Sequence, residues 1–146
     1  MSYLVDTNVL LRRVQSSHPM HSDAARSLGL LILRGEVVSV IPQNLIEFWA
    51  VATRPVLNNG LGMSVYETAQ HIAAFKTTFE LLPDTDSIFR EWEQLVVRHQ
   101  VLGKQVYDAR LVAAMNVHDL THILTFNTDD FKRYGEIIVV NPSTLS

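Results

Sequence analysis

Four side chains in this sequence carry acid or amide groups at positions where they could act together: Asp6, Glu47, Asp108 and Asn127. Asp6 and Asn127 each follow a short apolar segment of strand character, and Asp108 opens a helical segment. Glu47 is the only charged residue in the apolar stretch 45–52, which predicts that its carboxylate faces a polar cavity or a partner. Helix capping or surface exposure is the ordinary alternative for each residue alone, so their meaning depends on whether the fold brings them together.

Carboxylates gathered at one place have a characteristic chemistry. They repel one another and raise each other's pKa unless a cation neutralises them. Oxygen-rich sites of this kind suit magnesium (Mg²⁺) or Mn²⁺ and do not suit Zn²⁺. Such ions lower the pKa of a bound water and stabilise the charge that builds on a phosphodiester during in-line attack. If the four residues converge, the sequence therefore predicts a divalent metal site that acts on phosphodiesters.

The elements that must position these residues alternate between strands and helices. Predicted strands cover residues 3–5, 37–41, 123–126 and 137–140, and Leu81-Leu82 is a candidate for a fifth, very short strand. The predicted helices cover residues 19–33, 43–54, 64–79, 84–99 and 106–117, with a first helix after the capping residues 6–8 and a short one at 129–134. This alternation predicts a parallel sheet covered by helices on both faces, which binds ligands beyond the carboxyl ends of its strands.

Length and composition agree with one soluble domain over residues 1–146. The chain has 12 Lys+Arg and 15 Asp+Glu, a formal net charge of −3, and 47% apolar residues. It has no cysteine, which excludes disulfides, thiolate zinc sites and cysteine nucleophiles and fits a reducing compartment. No segment is apolar over the ~20 residues that span a bilayer, and residues 1–6 do not form a signal peptide. We therefore expect a cytoplasmic protein without a membrane association.

Four segments of the sequence form an ordered set: Leu4-Val5-Asp6-Thr7-Asn8-Val9-Leu10, Leu45-Ile46-Glu47, Tyr107-Asp108-Ala109, and Leu124-Thr125-Phe126-Asn127 followed by Asp130-Phe131. In this order they resemble the PIN-domain ribonucleases, and most closely the VapC toxins of VapBC toxin–antitoxin pairs. The similarity covers essentially the whole chain. It implies a three-layer α/β/α fold with a short, mostly parallel sheet of strand order 3-2-1-4-5.

The resemblance also implies the activity of a metal-dependent endoribonuclease and a role for each site residue. Asp6 and Asp108 would be the main metal ligands, and Glu47 a ligand or an orienter of metal-bound water. The family's fourth position is often Asp, whereas this chain has Asn127, which would hold water and adds no charge. Asp129 is the nearby carboxylate considered as a substitute, and Thr7 is expected to hydrogen-bond a ligand carboxylate.

The partners that the resemblance implies are an RNA substrate, a cognate antitoxin and a second copy of the chain. We expect a helical antitoxin segment in an apolar groove, with a basic tail that enters the acidic site and competes with metal. The uncharged Asn127 leaves open an alternative, a catalytically weak PIN-fold binding module that acts through its partner. A third reading, in which Asp6 is phosphorylated, is disfavoured because Asn8 stands where that chemistry has Asp.

Two further patterns in the sequence concern histidines and basic residues. His118 and His122 have a zinc-like spacing, but the segment between them joins a helix to a strand, so a zinc site is not expected. Five basic residues lie close in sequence to the site positions and are candidates for a phosphate-binding rim, although ordinary surface charge explains each of them as well. They are Arg12, Arg13, Arg54, Lys104 and Arg110.

Overall fold

The computed structural model describes all 146 residues as five strands and six α-helices. The strands are β1 (Ser2–Val5), β2 (Val37–Val40), β3 (Glu80–Leu81), β4 (His122–Leu124) and β5 (Ile138–Val140). The helices are α1 (Thr7–Val14), α2 (His21–Leu33), α3 (Pro42–Thr53), α4 (Val65–Thr78), α5 (Asp86–Arg98) and α6 (Gln105–Val117). Three short 3₁₀ turns complete the chain, at Val56–Asn58, Thr128–Phe131 and Pro142–Thr144. None of the helices combines the length and apolarity needed to cross a membrane.

The strands form one sheet of order β3-β2-β1-β4-β5, and every neighbouring pair is parallel. Tyr3 lies beside Val38 on one side and His122 on the other, so β1 is the central strand. The chain leaves β1 towards β2 and returns on its other side at β4, which makes the carboxyl ends of β1 and β4 the switch point of the sheet. The expected α/β/α class and strand order are confirmed, and the sheet is entirely parallel.

Two hydrophobic cores lie on opposite faces of this sheet. Successive side chains of a strand alternate between faces, so Tyr3 and Val5 belong to one core and Leu4 to the other. The first core is covered by α1, α2, α3 and α4, and the second by α5 and α6. The helices that carry Glu47 and Asp108 therefore lie on different faces of the sheet.

The element boundaries follow local capping chemistry and differ from the expected ones by a few residues. Asp6 is the N-cap of α1, which begins directly after β1. Pro42 stands in the first turn of α3, and the Asn44 side chain accepts a hydrogen bond from the Ile41 backbone N–H at 2.9 Å. The helix predicted at 129–134 is a single 3₁₀ turn, Thr128–Phe131, anchored by the fully buried Phe131.

Candidate active site

Asp6 lies at the carboxyl end of the central strand and has both carboxylate oxygens occupied. Its Oδ1 accepts a 2.8 Å hydrogen bond from the Thr7 backbone N–H. Its Oδ2 accepts bonds from Thr125 Oγ1 at 2.7 Å and from Asn8 Nδ2 at 3.2 Å. The residue is only 7% exposed, so the carboxylate is held in one orientation by groups from α1 and from the end of β4.

Thr125 and Asn8 join the ends of the two strands at the switch point. Asn8 Nδ2 also lies 3.3 Å from Thr125 Oγ1, and Asn8 Oδ1 accepts from the Phe126 backbone N–H at 3.3 Å. Thr125 Oγ1 in turn accepts from the Asn127 backbone N–H at 3.0 Å. From the sequence, Asn8 is predicted to be a helix-capping residue and Thr125 a strand residue. Each is a polar residue beside apolar ones, which hints at a role, but the sequence does not indicate that the two side chains bind Asp6 and each other.

Glu47 is brought to Asp6 through Thr7. Glu47 is half-buried on α3, and its Oε1 accepts a 3.0 Å hydrogen bond from Thr7 Oγ1. The side-chain amide of Asn44, one turn earlier on α3, lies 3.5 Å from the same hydroxyl. The expected hydrogen bond from Thr7 to a site carboxylate is therefore present.

Asp108 lies in the first turn of α6, is half-buried, and its carboxylate accepts no hydrogen bond from the protein. Burial raises its pKa to about 7, and the negative charges of Asp6, Asp130 and Glu47 add to this rise. Burial also raises the pKa of Asp6, to about 6; the Thr125 and Thr7 hydrogen bonds oppose the rise, while Glu47 and Asp130 increase it. The charge of Glu47 thus acts on both Asp6 and Asp108, and the charge of Asp6 acts on Asp108.

The charge of a fourth carboxylate, Asp130, acts on this cluster, whereas Asp129, considered in its place, pairs with a lysine. The Asp129 side chain is 86% exposed and forms a 2.5 Å ion pair with Lys132, which lowers its pKa. Asp130, the next residue, is the one whose charge raises the pKa of both Asp6 and Asp108. The backbone of the 3₁₀ turn fixes the different positions of the two side chains. It is anchored by the buried Phe131 and closed by a 3.1 Å hydrogen bond from the Asp130 backbone N–H to the Asn127 carbonyl.

Asn127 is exposed, and its side-chain amide takes part in no hydrogen bond within the protein. It follows β4 at the same edge of the sheet as Asp6, as predicted, and contributes its backbone to the network through Thr125. Its side chain is free to hold water or substrate but adds no negative charge.

The donor set matches a hard divalent cation in its chemistry. Asp6, Glu47, Asp108 and Asp130 offer only carboxylate oxygens. A cation among them would offset the burial and the repulsion that together raise the pKa values of Asp6 and Asp108. In the structure, no three acidic or histidine side chains are already gathered as a ligand set. An ion would therefore have to draw these side chains closer together, while the hydrogen bonds of Asp6 provide one fixed ligand.

Of the five basic residues that are candidates for a phosphate-binding rim, Arg110 is the one that contacts residues next to the site. Arg110 Nη1 donates to Gln43 Oε1 at 3.0 Å, and Nη2 forms a 3.3 Å ion pair with Asp84. Gln43, which sequence reasoning missed, also donates from Nε2 to the Tyr107 carbonyl at 2.9 Å. The other four make no hydrogen bond or ion pair with the site carboxylates: Arg12, Arg13, Arg54 and Lys104.

The fold and this acidic edge agree with the result of comparing the chain with known families. The family model for the PIN domain matches residues 3–137. The chain therefore belongs to the PIN domain family, and the resemblance inferred from the four segments is confirmed. No curated protein matches the sequence significantly.

Solved structures similar to this chain include toxins of several VapBC and FitAB complexes. VapBC2 from Rickettsia felis, bound to a DNA fragment from its promoter, matches with a TM-score of 0.73 at 15% identity over 97% of this chain and 98% of that one. Mycobacterium tuberculosis VapC20, described as a toxin that cleaves the sarcin–ricin loop, matches with 0.71 at 20% identity over 93% and 97%. FitAcB from Neisseria gonorrhoeae matches with 0.67 at 19% identity over 98% and 99%. These similarities extend over the whole fold.

Proposed function

We propose that this protein is a Mg²⁺-dependent endoribonuclease, also active with Mn²⁺, and the toxin of a toxin–antitoxin pair that acts in the cytoplasm. The observation that carries the proposal is that Thr7 hydrogen-bonds both Asp6 and Glu47 at the carboxyl end of the central strand. Asp108, from the opposite face of the sheet, lies near enough for the charges of both to add to the rise that burial gives its pKa. Membership of the PIN domain family and the similarity to VapC toxins support the same activity.

Each acidic residue has a distinct role in the proposed site. Asp6, fixed by its hydrogen bonds, and Asp108 would hold the ion, with Glu47 as a further ligand or as the group that orients its water. Asp130 would supply the negative charge that Asn127 lacks. When bound, the ion would lower the pKa of water and stabilise the charge that develops on the phosphodiester.

The surface beside Asp108 has features suited to unpaired RNA. Tyr107 and Phe89 are each about 60% exposed and line a cleft of about 190 Å³ together with Trp92, Val106 and Arg110. Exposed aromatic rings stack on unpaired bases, and a guanidinium contacts phosphate or base faces. We therefore favour a single-stranded segment or loop of RNA as the substrate.

The proposed protein partners are a cognate antitoxin and a second copy of the chain. Several similar structures are toxin–antitoxin complexes, and some of these are bound to DNA. On this chain an entirely apolar groove is available on α3 and α4, lined by Leu45, Ile46, Trp49, Ala50 and Ile72. Such a groove suits the apolar face of an antitoxin helix.

RNA cleavage by the purified protein tests this proposal. With Mg²⁺ or Mn²⁺ the wild type is expected to cut cellular RNA, and Asp6→Asn and Asp108→Asn are expected to lower the rate by more than about a hundredfold, because each removes a charged ligand. Asp129→Asn is the matched control, since this carboxylate is exposed and paired with Lys132. Equal cleavage by Asp6→Asn and the wild type would refute the proposal.

The alternative is a PIN-fold binding module without significant nuclease activity. It is favoured by the uncharged Asn127 and by the open arrangement of the carboxylates. This function predicts tight antitoxin binding, no RNA cleavage, and a melting temperature that Mg²⁺ and Mn²⁺ leave unchanged.

A further inference from the structure

The helices that carry Glu47 and Asp108 pack on opposite faces of the same sheet and make little direct contact with each other. α3 packs against α1 and α4 on one face of the sheet, whereas α6 packs mainly against α5 on the other. Packing within each layer therefore fixes each helix relative to its own neighbours. A hydrogen-bonding group that spans the edge of the sheet between the two helices would add a direct constraint on the distance between the two carboxylates.

Gln43 is such a group. It lies in the first turn of α3, four residues before Glu47, and therefore on the same side of the helix. Its Nε2 donates to the backbone carbonyl of Tyr107, the residue before Asp108, at 2.9 Å. Its Oε1 accepts from Nη1 of Arg110, two residues after Asp108, at 3.0 Å. Both ends of one amide thus bind α6 on either side of Asp108.

The burial of Gln43 favours the one side-chain conformation that forms these two hydrogen bonds. Gln43 is only 9% exposed, and a buried amide that loses its partners is unfavourable, so the side chain is restricted to this geometry. Arg110 also forms a 3.3 Å ion pair with Asp84, which restricts the position of the guanidinium that donates to Gln43 Oε1. A glutamate at position 43 would lack the N–H that the Tyr107 carbonyl requires.

We propose that Gln43 is a positioning residue that sets the separation of Glu47 and Asp108 and thereby the affinity of the site for its divalent ion. The inference rests on the proposed function, because it assumes that these carboxylates bind metal. Gln43 acts through the two helices and touches neither ion nor substrate. Groups that orient metal ligands typically change metal affinity or activity by about 10–100-fold when they are removed.

The test compares Mn²⁺ binding, measured by the loss of the free-ion electron paramagnetic resonance signal, in the wild type and Gln43→Met. Methionine keeps the length and approximate volume of glutamine but forms neither hydrogen bond. We expect about a tenfold loss of Mn²⁺ affinity. RNA cleavage is expected to fall most at low Mn²⁺ and to recover towards the wild-type rate at saturating Mn²⁺.

Asn116→Leu is the matched control for a purely structural effect. Asn116 is also an amide on α6 that binds other elements, because its Nδ2 donates to Glu91 at 3.1 Å and to Glu136 at 3.3 Å. It stands in the last turn of the helix, away from Asp108. The control is expected to lower the melting temperature as Gln43→Met does, but to leave Mn²⁺ affinity unchanged.

The possible outcomes separate this inference from the proposed function. Equal Mn²⁺ affinity of Gln43→Met and the wild type would overturn the inference and leave the proposed function intact. A wild type that binds no Mn²⁺ would overturn both. If Gln43→Met does not fold, Gln43→Asn replaces it, because the shorter amide cannot reach both partners, and the same loss of affinity is expected.

Discussion

Thr7 Oγ1 donates a 3.0 Å hydrogen bond to Glu47 Oε1, across forty positions of sequence. The backbone N–H of Thr7 donates at 2.8 Å to Asp6 Oδ1. One residue therefore binds two carboxylates of the candidate site, although the two negative charges repel each other. The contact depends on the start of α1 directly after β1, because that geometry aims the backbone and the side chain of Thr7 at different acids.

Thr7→Val is expected to weaken the site more than it weakens the fold. Valine has the shape of threonine and leaves the backbone bond to Asp6 intact, but it cannot donate to Glu47. We expect about a tenfold loss of Mn²⁺ affinity and a decrease of about 1 kcal/mol in the free energy of unfolding. Isothermal titration calorimetry and urea unfolding measure the two effects.

The matched control for Thr7→Val is Thr53→Val. Thr53 also donates a side-chain hydrogen bond, to the Trp49 carbonyl at 2.8 Å, but it lies at the far end of α3. This control is expected to leave Mn²⁺ affinity at the wild-type value. Unchanged affinity in Thr7→Val as well would show that the Glu47 contact does not contribute to the site.

The raised pKa values of Asp6 and Asp108, about 6 and about 7, predict how stability depends on pH without metal. The folded protein retains protons on these groups that the unfolded chain releases near the usual pKa of 3.8. Their contribution to stability is therefore greatest below about pH 4 and is lost as the pH rises through 6 and 7. Thermal unfolding from pH 4 to pH 8 in the presence of EDTA measures this loss.

Asp108→Asn isolates the effect of one carboxyl group, because the variant differs from the wild type in this group alone. We expect the melting temperature of the variant to rise relative to that of the wild type as the pH increases from 5 to 8. Mn²⁺ is expected to raise the wild-type melting temperature more at pH 8 than at pH 5, since protons compete with the ion for Asp6 and Asp108. A wild type and variant with identical pH dependence would contradict the assigned pKa of Asp108.

Asp130 and its neighbour Asp129 provide a direct comparison of two adjacent carboxylates. Asp130→Asn removes a charge that raises the pKa of both Asp6 and Asp108, so both groups are expected to titrate at lower pH. If Asp130 also supports the ion, Mn²⁺ affinity falls about tenfold. Carboxyl titration by nuclear magnetic resonance and Mn²⁺ binding measure the two effects separately.

The expected result for Asp129→Asn is the opposite. Its carboxylate is paired with Lys132 and exposed to solvent, so the variant is expected to retain the wild-type titration and Mn²⁺ affinity. Surface ion pairs of this kind are screened by solvent and contribute little to stability. An effect of Asp129→Asn as large as that of Asp130→Asn would contradict the arrangement of the 3₁₀ turn.

Local sequence was sufficient for the alternation of strands and helices, and it singled out Asp6, Glu47 and Asp108 as candidate site residues. Apolar segments ending at Asp6 and Asn127 predicted two strands, and the lone charge of Glu47 in an apolar helix predicted a polar environment. These inferences succeed because strand and helix periodicity, capping and turn chemistry act over a few residues. The strand order came from the family resemblance, since periodicity alone does not define which strands are neighbours.

Only the tertiary structure shows which residues from distant parts of the chain contact one another at the site. Asp6 meets Thr125 across 119 positions, and Gln43 reaches Tyr107 across 64. Asp129 and Asp130 are chemically identical and adjacent, so the choice between them depends on the direction that the anchored turn gives each side chain. The raised pKa values likewise depend on burial and on charges from distant segments, because desolvation and Coulomb interactions are set by position in space rather than by position in the chain.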